Sequence, residues 1–350
     1  MEVSYIFRKR RSNAYSIESL FENIHHSVNS RNQFQTSTLE VPSIRNVASN
    51  IVRAAKEQAA VNHITGDIHY VALGLKKQNT VLTIHDCVFL TRYSKWNLKY
   101  WLFKFLWYQL PMWRSGTITV ISEKTKQELV RLTGVNANRI HVVPNFYDPR
   151  FTFQPKEFNS IKPRILQIGT KENKNIIRLA QALNGITCEL HIVGEPDAAT
   201  LAVLKANKIE FYTHVNLSFE ELQQQYVAAD MVTFVSTYEG FGLPILEACA
   251  VGRALVTSNI APLKDIAGAA ACKVNPYSVL DIRRGICRII EDAAYRDTLI
   301  NNGWQLRYKY SIDNITSKYS EIYADIASRS TSEFGFLRPL RAAASLMGIA

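Results

Sequence analysis

The chain lacks long apolar runs and paired cysteines, and it is short of acids for its number of bases. Each shortage excludes something. No stretch of about 18 uninterrupted apolar residues occurs, which argues against a membrane-spanning helix. The five cysteines are scattered singly, with no C-x-x-C pair. That pattern excludes a disulfide framework and fits reduced, mostly buried thiols of a cytosolic protein. Met1-Glu2-Val3-Ser4 leads into a strand-like run and then a basic cluster, without the ordered regions of a signal peptide. Acids number 30 against 41 lysines and arginines, a net charge of +11. That surplus points to phosphates, nucleic acid or an anionic membrane surface as partners. With 350 residues the chain is long enough for two α/β domains, each with its own core.

The most informative stretch is Ser236-Thr237-Tyr238-Glu239-Gly240-Phe241-Gly242-Leu243-Pro244-Ile245-Leu246-Glu247-Ala248. Met231 to Val235 before it is a short apolar, β-rich run, read as a buried strand. Pro244 is placed to open a helix, where its missing N–H costs nothing. Gly240 and Gly242 fill the turn, where the chain needs positive φ or room for close approach. Strand, glycine turn and helix start together offer backbone N–H groups and a positive dipole end to an anion such as a phosphate. Glu239 falls at the strand's carboxyl edge, where open α/β sheets bind ligands. Glu247 lies about a turn into the helix. Carboxylates beside a phosphate site make sense for a ligand that also carries hydroxyls. A nucleotide sugar combines diphosphate, ribose hydroxyls and sugar hydroxyls. The plainer alternative is an ordinary helix N-terminus with both glutamates on solvated surface.

This stretch resembles the E-x7-E motif of the retaining GT-B glycosyltransferases of family four. Ala228-Ala229-Asp230 and the run Ala250 to Ser258 resemble the same family's flanks. The resemblance implies an α/β GT-B fold, two Rossmann-like doubly wound domains facing an interdomain cleft. It also implies sugar transfer from a nucleotide-diphosphate sugar to an acceptor hydroxyl, with no cofactor and no metal. The chain contains no D-x-D triplet, the mark of a metal-bridged diphosphate in the other glycosyltransferase fold. In the second domain, Lys174 is expected on the diphosphate, with Gly169, Thr170 and Lys171 in the preceding turn and Gly194 at the nucleobase end. Glu239 is expected to hold the transferred sugar, Glu247 the ribose, and Gly240, Phe241, Gly242 and Leu243 the donor. In the first domain, Val81-Leu82-Thr83-Ile84 delivers His85-Asp86 at a strand end. By resemblance His85 sits over the donor sugar, with Asp86 beside it and His69 a weaker, structural candidate. Lys174, His85 and Glu239 form the expected catalytic set.

The expected divisions are a first domain over 1–148, a linker over 149–163 and a second domain over 164–311. A terminal helix over 312–328 crosses back to the first domain, and 329–350 is a tail. Arg8-Lys9-Arg10-Arg11 follows the first strand, either as a solvated run or as a site for an acceptor phosphate. Residues 91–114 interleave Arg92, Lys95, Lys99, Lys104 and Arg114 with nine aromatic residues and no acid. Such a stretch suits an anionic membrane surface, cations on lipid phosphates and rings below them; the alternative is a core helix with its bases in water. The chain is thus expected to be cytoplasmic and peripheral on a membrane. Its expected partners are a nucleotide-sugar donor and a saccharide or lipid-linked acceptor, with no nucleic acid. Rival readings are a GT-B epimerase or phosphorylase, and a binding module without turnover.

Overall fold

The computed structural model describes residues 1–9, 16–42, 46–88, 90 and 96–346, with the side chains of 16, 17 and 330–346 outside that description. The chain divides into two units, Met1–Pro144 with Ile312–Ala350, and Asn145–Ser311. Each is built on one six-stranded sheet whose neighbours all run parallel.

The first sheet comprises β1 (Glu2–Arg8), β2 (Gln35–Val41), β3 (Val61–Ile64), β4 (Thr80–Ile84), β5 (Thr117–Val120) and β6 (Ile140–Val142), in the order β2-β1-β3-β4-β5-β6. Central strands β3, β4 and β5 are short runs rich in β-branched residues and buried throughout, as a sheet covered on both faces requires. Ile6, Ile64, Leu82, Ile118 and Val120 form the heart of the core. Strand β2 is where sequence reading fails. Its segment Gln-Thr-Ser-Thr-Leu-Glu-Val is largely polar, and only Leu39 and Val41 are buried. The segment from Val41-Pro42 to Ala60 reads from sequence as one helix, but Val41 ends β2 and the helix is Val47–Lys56. An edge strand buries too little surface for a hydrophobic pattern to reveal it.

The C-terminal helix Ile312–Leu346 belongs to this first unit and continues through most of the expected tail; residues 347–350 lie outside the described part. Its Tyr319 and Tyr323 are buried. Tyr323 meets Tyr5 edge-on, and its hydroxyl lies 2.6 Å from Nδ1 of the buried His63. The other ring nitrogen of His63 is 2.7 Å from Thr83 Oγ1.

The second sheet comprises β7 (Arg164–Ile168), β8 (Glu189–Val193), β9 (Glu210–His214), β10 (Met231–Phe234), β11 (Ala254–Ser258) and β12 (Cys272–Val274), in the order β12-β11-β10-β7-β8-β9. Ile165, Leu190, Ile192, Met231 and Val256 anchor its core against Leu179, Leu183, Ile282 and Ile286 of the covering helices. The 149–163 segment, expected as a linker, packs on this unit. Phe151 lies edge-on to the rings of Phe219 and Tyr226, and Phe153 lies edge-on to Trp304. Polar contacts hold it as well: the Asn159 N–H donates to Asp230, and the Gln154 carbonyl accepts from Arg253.

Both sheets reverse strand order at one place, between β1 and β3 in the first and between β7 and β10 in the second. Connections leave such a point in opposite directions. A crevice therefore opens at the strands' carboxyl ends, where α/β sheets take their ligands.

Candidate functional site

In the second unit the residues singled out from sequence converge on the carboxyl ends of β7 and β10. After β7, Gly169 adopts φ +83, and a Cβ there would lie 3.0 Å from Lys174 Cε. After β8, Gly194 adopts φ +117, and its Cβ would lie 3.0 Å from Thr170 Cγ2. Both positions combine a left-handed backbone with close approach, so glycine is needed on two counts. Lys174 closes a short 3-10 turn, Glu172–Lys174, and its Nζ lies 2.7 Å from Glu239 Oε1, within cation–π reach of Phe234. Lys171, expected to help with phosphate, opens that turn and is exposed.

Asn173 completes the arrangement. Its Nδ2 donates to the Tyr238 carbonyl and to Glu239 Oε1, and its carbonyl accepts from the Thr237 N–H. Nothing in the sequence marks Asn173; it matters because the β7 turn lies against the β10 turn, contact between segments 65 residues apart. Asn175, which follows Lys174, is structural: its buried amide donates to the carbonyls of Val235 and Pro276.

The glycine turn leads into the helix Leu243–Val251, with Pro244 in its first turn as expected. Gly242 has φ 173, ordinary extended backbone, so close approach is what requires it: a Cβ would lie 2.9 Å from Leu263 Cδ2. The Phe241 side chain is buried edge-on to Tyr310. Of Phe241, then, it is the main chain rather than the ring that could meet a donor, since the ring is taken up by packing.

Glu247 faces inward from that helix and accepts a 2.5 Å hydrogen bond from the Tyr226 hydroxyl. Burial is the main cause that raises its carboxyl to about 7; Tyr226 opposes the shift, Asp148 adds to it and Lys174 offsets it. The Tyr226 phenol is likewise raised, first by burial and then by Glu247. The pair therefore resists ionisation at either end, which is how sites hold groups poised near neutrality.

In the first unit a second group assembles at the other switch point. Arg8 ends β1, Asp67 follows β3, and His85 and Asp86 follow β4. With Glu18, Gly66, His69, Trp107 and Tyr108 they line a cavity of about 140 Å³. Arg8 is ion-paired rather than solvated, and its Nε is buried without a partner among the described residues. Its Nη1 contacts both Asp67 oxygens at 2.9 Å, and its Nη2 contacts Glu18 at 2.8 Å. Arg10 and Arg11, the rest of that basic run with Lys9, lie outside the described residues.

His85 Nε2 lies 2.7 Å from the Thr65 carbonyl, and His69 Nδ1 lies 2.9 Å from the Trp107 carbonyl. A carbonyl only accepts, so each of these nitrogens carries the proton and the other nitrogen of each neutral ring keeps its lone pair. Burial is the main cause lowering both imidazoles, against nearby carboxylates and the carbonyl contacts that raise them. Both rings are accordingly neutral acceptors at neutral pH.

The stretch 96–114 forms the helix Leu98–Phe103, a π-helical turn Lys104–Gln109 and the helix Leu110–Trp113; Arg92, Tyr93 and Lys95 lie outside the described residues. One face packs inward through Tyr100, Tyr108 and Met112. The opposite face exposes Leu98, Trp101, Leu102, Phe105 and Leu106, with Trp96 at 98% and Trp113 at 68% exposure. A surface helix normally carries polar residues on that side. Among the described residues, no helix is long and apolar enough to cross a membrane.

Two family models match the chain. One, described as Glycosyltransferase Family 4, covers residues 3–151, and the other, Glycosyl transferases group 1, covers residues 162–292. The chain is 28% identical over 230 residues to the O-antigen chain mannosyltransferase B of Escherichia coli, covering 59% of this chain and 60% of that protein. It is 27% identical over 199 residues to an MMP alpha-(1->4)-mannosyltransferase of Mycolicibacterium hassiacum, 53% of this chain and 48% of the relative. The matches thus span about half to three fifths of these curated relatives. Among solved structures, a glycosyltransferase from Rickettsia africae superposes with a TM-score of 0.74 at 15% identity, covering 93% of this chain and 98% of the other. Anabaena Alr3699/HepE, solved in complex with UDP and glucose, gives a TM-score of 0.70 at 14% identity, covering 93% and 100%. At these identities the likeness establishes the fold, which is GT-B.

Proposed function

This chain belongs to the group 1 glycosyl transferases of glycosyltransferase family 4, and we propose that it moves a sugar from a nucleoside-diphosphate donor to a hydroxyl of a saccharide acceptor. The observation that carries the proposal is the Lys174–Glu239 ion pair at the β7/β10 switch point, flanked by the constrained glycines 169 and 194. In the free protein each ion satisfies the other. A donor separates their tasks: the diphosphate takes the Lys174 ammonium, and the sugar hydroxyls donate to the Glu239 carboxylate freed by it. Glu247 accepts a ribose hydroxyl beside Tyr226.

In the reaction the acceptor oxygen attacks the anomeric carbon as the bond to the diphosphate breaks, and the acceptor proton passes to the leaving phosphate. We assign retention of anomeric configuration to this front-face route. Lys174 and the amides of the 240–242 turn stabilise charge growing on the leaving group, as fixed donors that need no reorganisation. His85 contacts the donor sugar from the first unit. Activity requires no metal, in keeping with the missing D-x-D triplet. Two of the relatives are named as mannosyltransferases, which makes a mannosyl donor in polysaccharide assembly the first to try.

The exposed apolar face at 96–113 supports a second element of the reading, peripheral attachment to the inner face of the cytoplasmic membrane. Its rings enter the headgroup region while Lys99, Lys104 and Arg114 meet lipid phosphates. Each large ring or leucine buried there gains roughly 1.5–3 kcal/mol. Flotation with anionic liposomes, lost in Trp101→Ser/Phe105→Ser, is expected; protein that stays at the bottom of the gradient with every lipid composition removes this element.

The test of the transferase reading is thermal stabilisation across a panel of nucleoside diphosphates and their sugars, followed by turnover in excess chelator. A selective rise in melting temperature, abolished in Lys174→Ala and Glu247→Ala, is the expected result. No shift with any donor from a well-folded protein, or hydrolysis without transfer, refutes it. The one-bond C1–H1 coupling at the anomeric carbon of the product decides retention.

A further inference from the structure

Tyr226 and Glu247 lie 21 residues apart, on the helices Phe219–Ala228 and Leu243–Val251, and no local pattern pairs them. The fold holds the tyrosine at three points. Phe151 meets its ring edge-on with centroids 5.4 Å apart, and Arg253 Nε donates to its main-chain carbonyl at 3.2 Å. The third point is the hydroxyl, which donates to Glu247 Oε2 at 2.5 Å from a residue with no exposed surface. That length belongs to hydroxyls bonded to ionised oxygen. Phenylalanine would serve the packing, so what the hydroxyl adds is its hold on the carboxyl.

A carboxylate offers two oxygens. With Oε2 taken by Tyr226, Oε1 is left to accept from a ligand, and Glu247 keeps partial exposure to meet one. Burial opposes its charge first; Tyr226 and Lys174 favour it, and Asp148, on the segment after β6, opposes it. Arg253 spends its guanidinium on main-chain carbonyls. Helices Leu263–Ala267 and Ala293–Lys309 also pack against this one, and among the described residues they bring no charge to bear on Glu247. With its carboxyl at about 7, the free protein is divided between acid and carboxylate at neutral pH. The acid keeps one oxygen for its own proton, whereas the carboxylate only accepts. A ribose presents two adjacent hydroxyl donors, which suits the ionised form.

We infer that Tyr226 is a positioning residue for the nucleotide-sugar donor, holding the Glu247 carboxylate charged and turned to the ribose, and that donor binding drives a proton off Glu247 into solvent. The inference rests on the transferase reading above. No bond of the donor changes in this step. The acid gives its proton to water, and hydroxyls of ribose and Tyr226 donate to the carboxylate left behind. Affinity therefore falls about tenfold per pH unit below the free carboxyl's value of about 7, and is level above it. Tyr226 sets where that break lies. A hydrogen bond to a charged acceptor is worth about ten- to a hundredfold, so without it the break moves up by roughly one to two pH units.

The experiment is isothermal titration calorimetry of the full chain with UDP-, GDP- and ADP-hexoses from pH 6 to 8.5. Buffers of different ionisation enthalpy count the protons exchanged. The diphosphate of a nucleotide sugar is esterified at both ends and does not titrate in this range, unlike that of a free nucleoside diphosphate. Wild type should release about one proton per donor at pH 6 and almost none at pH 8.5. Tyr226→Phe keeps the ring; it should bind about tenfold or more weakly at pH 6, with the deficit shrinking as pH rises. A deficit that is absent, or equal at every pH, would leave Tyr226 a packing residue and overturn the inference. Donor binding by wild type without proton release overturns it as well. In each of these cases the transferase reading stands, whereas a wild type that binds none of the donors at any pH loses both.

Discussion

Replacing Glu247 by glutamine should make the protein more stable and less able to bind its donor. Burial raises the Glu247 carboxyl from 4.5 to about 7. Between those two values the folded state holds a proton that the unfolded chain has released. Wild-type stability therefore falls as pH rises through that window, by about 1.4 kcal/mol per pH unit, and levels off above about 7. The whole loss comes to about 3 kcal/mol. Glutamine keeps an oxygen to accept from the Tyr226 hydroxyl but has nothing to ionise. The stability difference between Glu247→Gln and wild type should thus be near zero below pH 4.5, grow through the window and plateau above it. For a unit of this size that plateau is a rise on the order of 6–10 °C in melting temperature. Thermal and urea unfolding at half-unit pH steps from 4.5 to 8 would read it. Donor-induced stabilisation should disappear in the same variant, because the amide is a poorer acceptor for a ribose hydroxyl. Parallel pH profiles for the two proteins would refute the reasoning, since they would show that Glu247 ionises in the fold as easily as out of it.

Three further outcomes follow from particular contacts. Arg253 is a buried cation that donates to the carbonyls of Gln154, Tyr226, Val227, Val251 and Gly252, tying together the carboxyl ends of two helices. Arg253→Ala should cost about 3 kcal/mol or more in denaturant unfolding, and Arg253→Lys should recover little because an ammonium cannot span the fork. Tyr323→Phe leaves His63 Nδ1 without its 2.6 Å partner in a buried cluster, an expected loss of about 1–3 kcal/mol with nucleotide binding unchanged. Gly169→Ala forces a side chain into φ +83 and presses on Lys174, so it should lower stability by about 1 kcal/mol or more and weaken nucleoside diphosphate binding, both read from melting curves with and without ligand.

Sequence alone determined what depends on neighbours along the chain. The buried strands β4, β5 and β10 are runs of β-branched and apolar residues that have no other way to satisfy backbone and side chain together. The turn from β10 into Leu243–Val251 is legible for the same reason: its glycines, its Pro244 and both glutamates lie within one short segment. So are the placement of His85-Asp86 at a strand end and of Lys174 before a helix. Edge strands β2 and β9 bury one face or less, and their polar, half-exposed sequences carry no period that separates them from loops.

Tertiary structure decided what each polar group does, because that depends on partners far away in the chain. Arg8 looks like part of a solvated basic run until β3 brings Asp67 and the first helix brings Glu18 against it. Asn173 is anonymous until the β10 turn arrives beside it. Glu247 reads as a charge on a helix; enclosed with Tyr226, it becomes a carboxyl poised near neutral pH. Composition marks 91–114 as aromatic and basic, but which of its rings face outward is set by the core that the others meet. Local sequence fixes conformation through sterics and backbone hydrogen bonding. Charge, protonation and recognition come from desolvation and from contacts that only the folded chain provides.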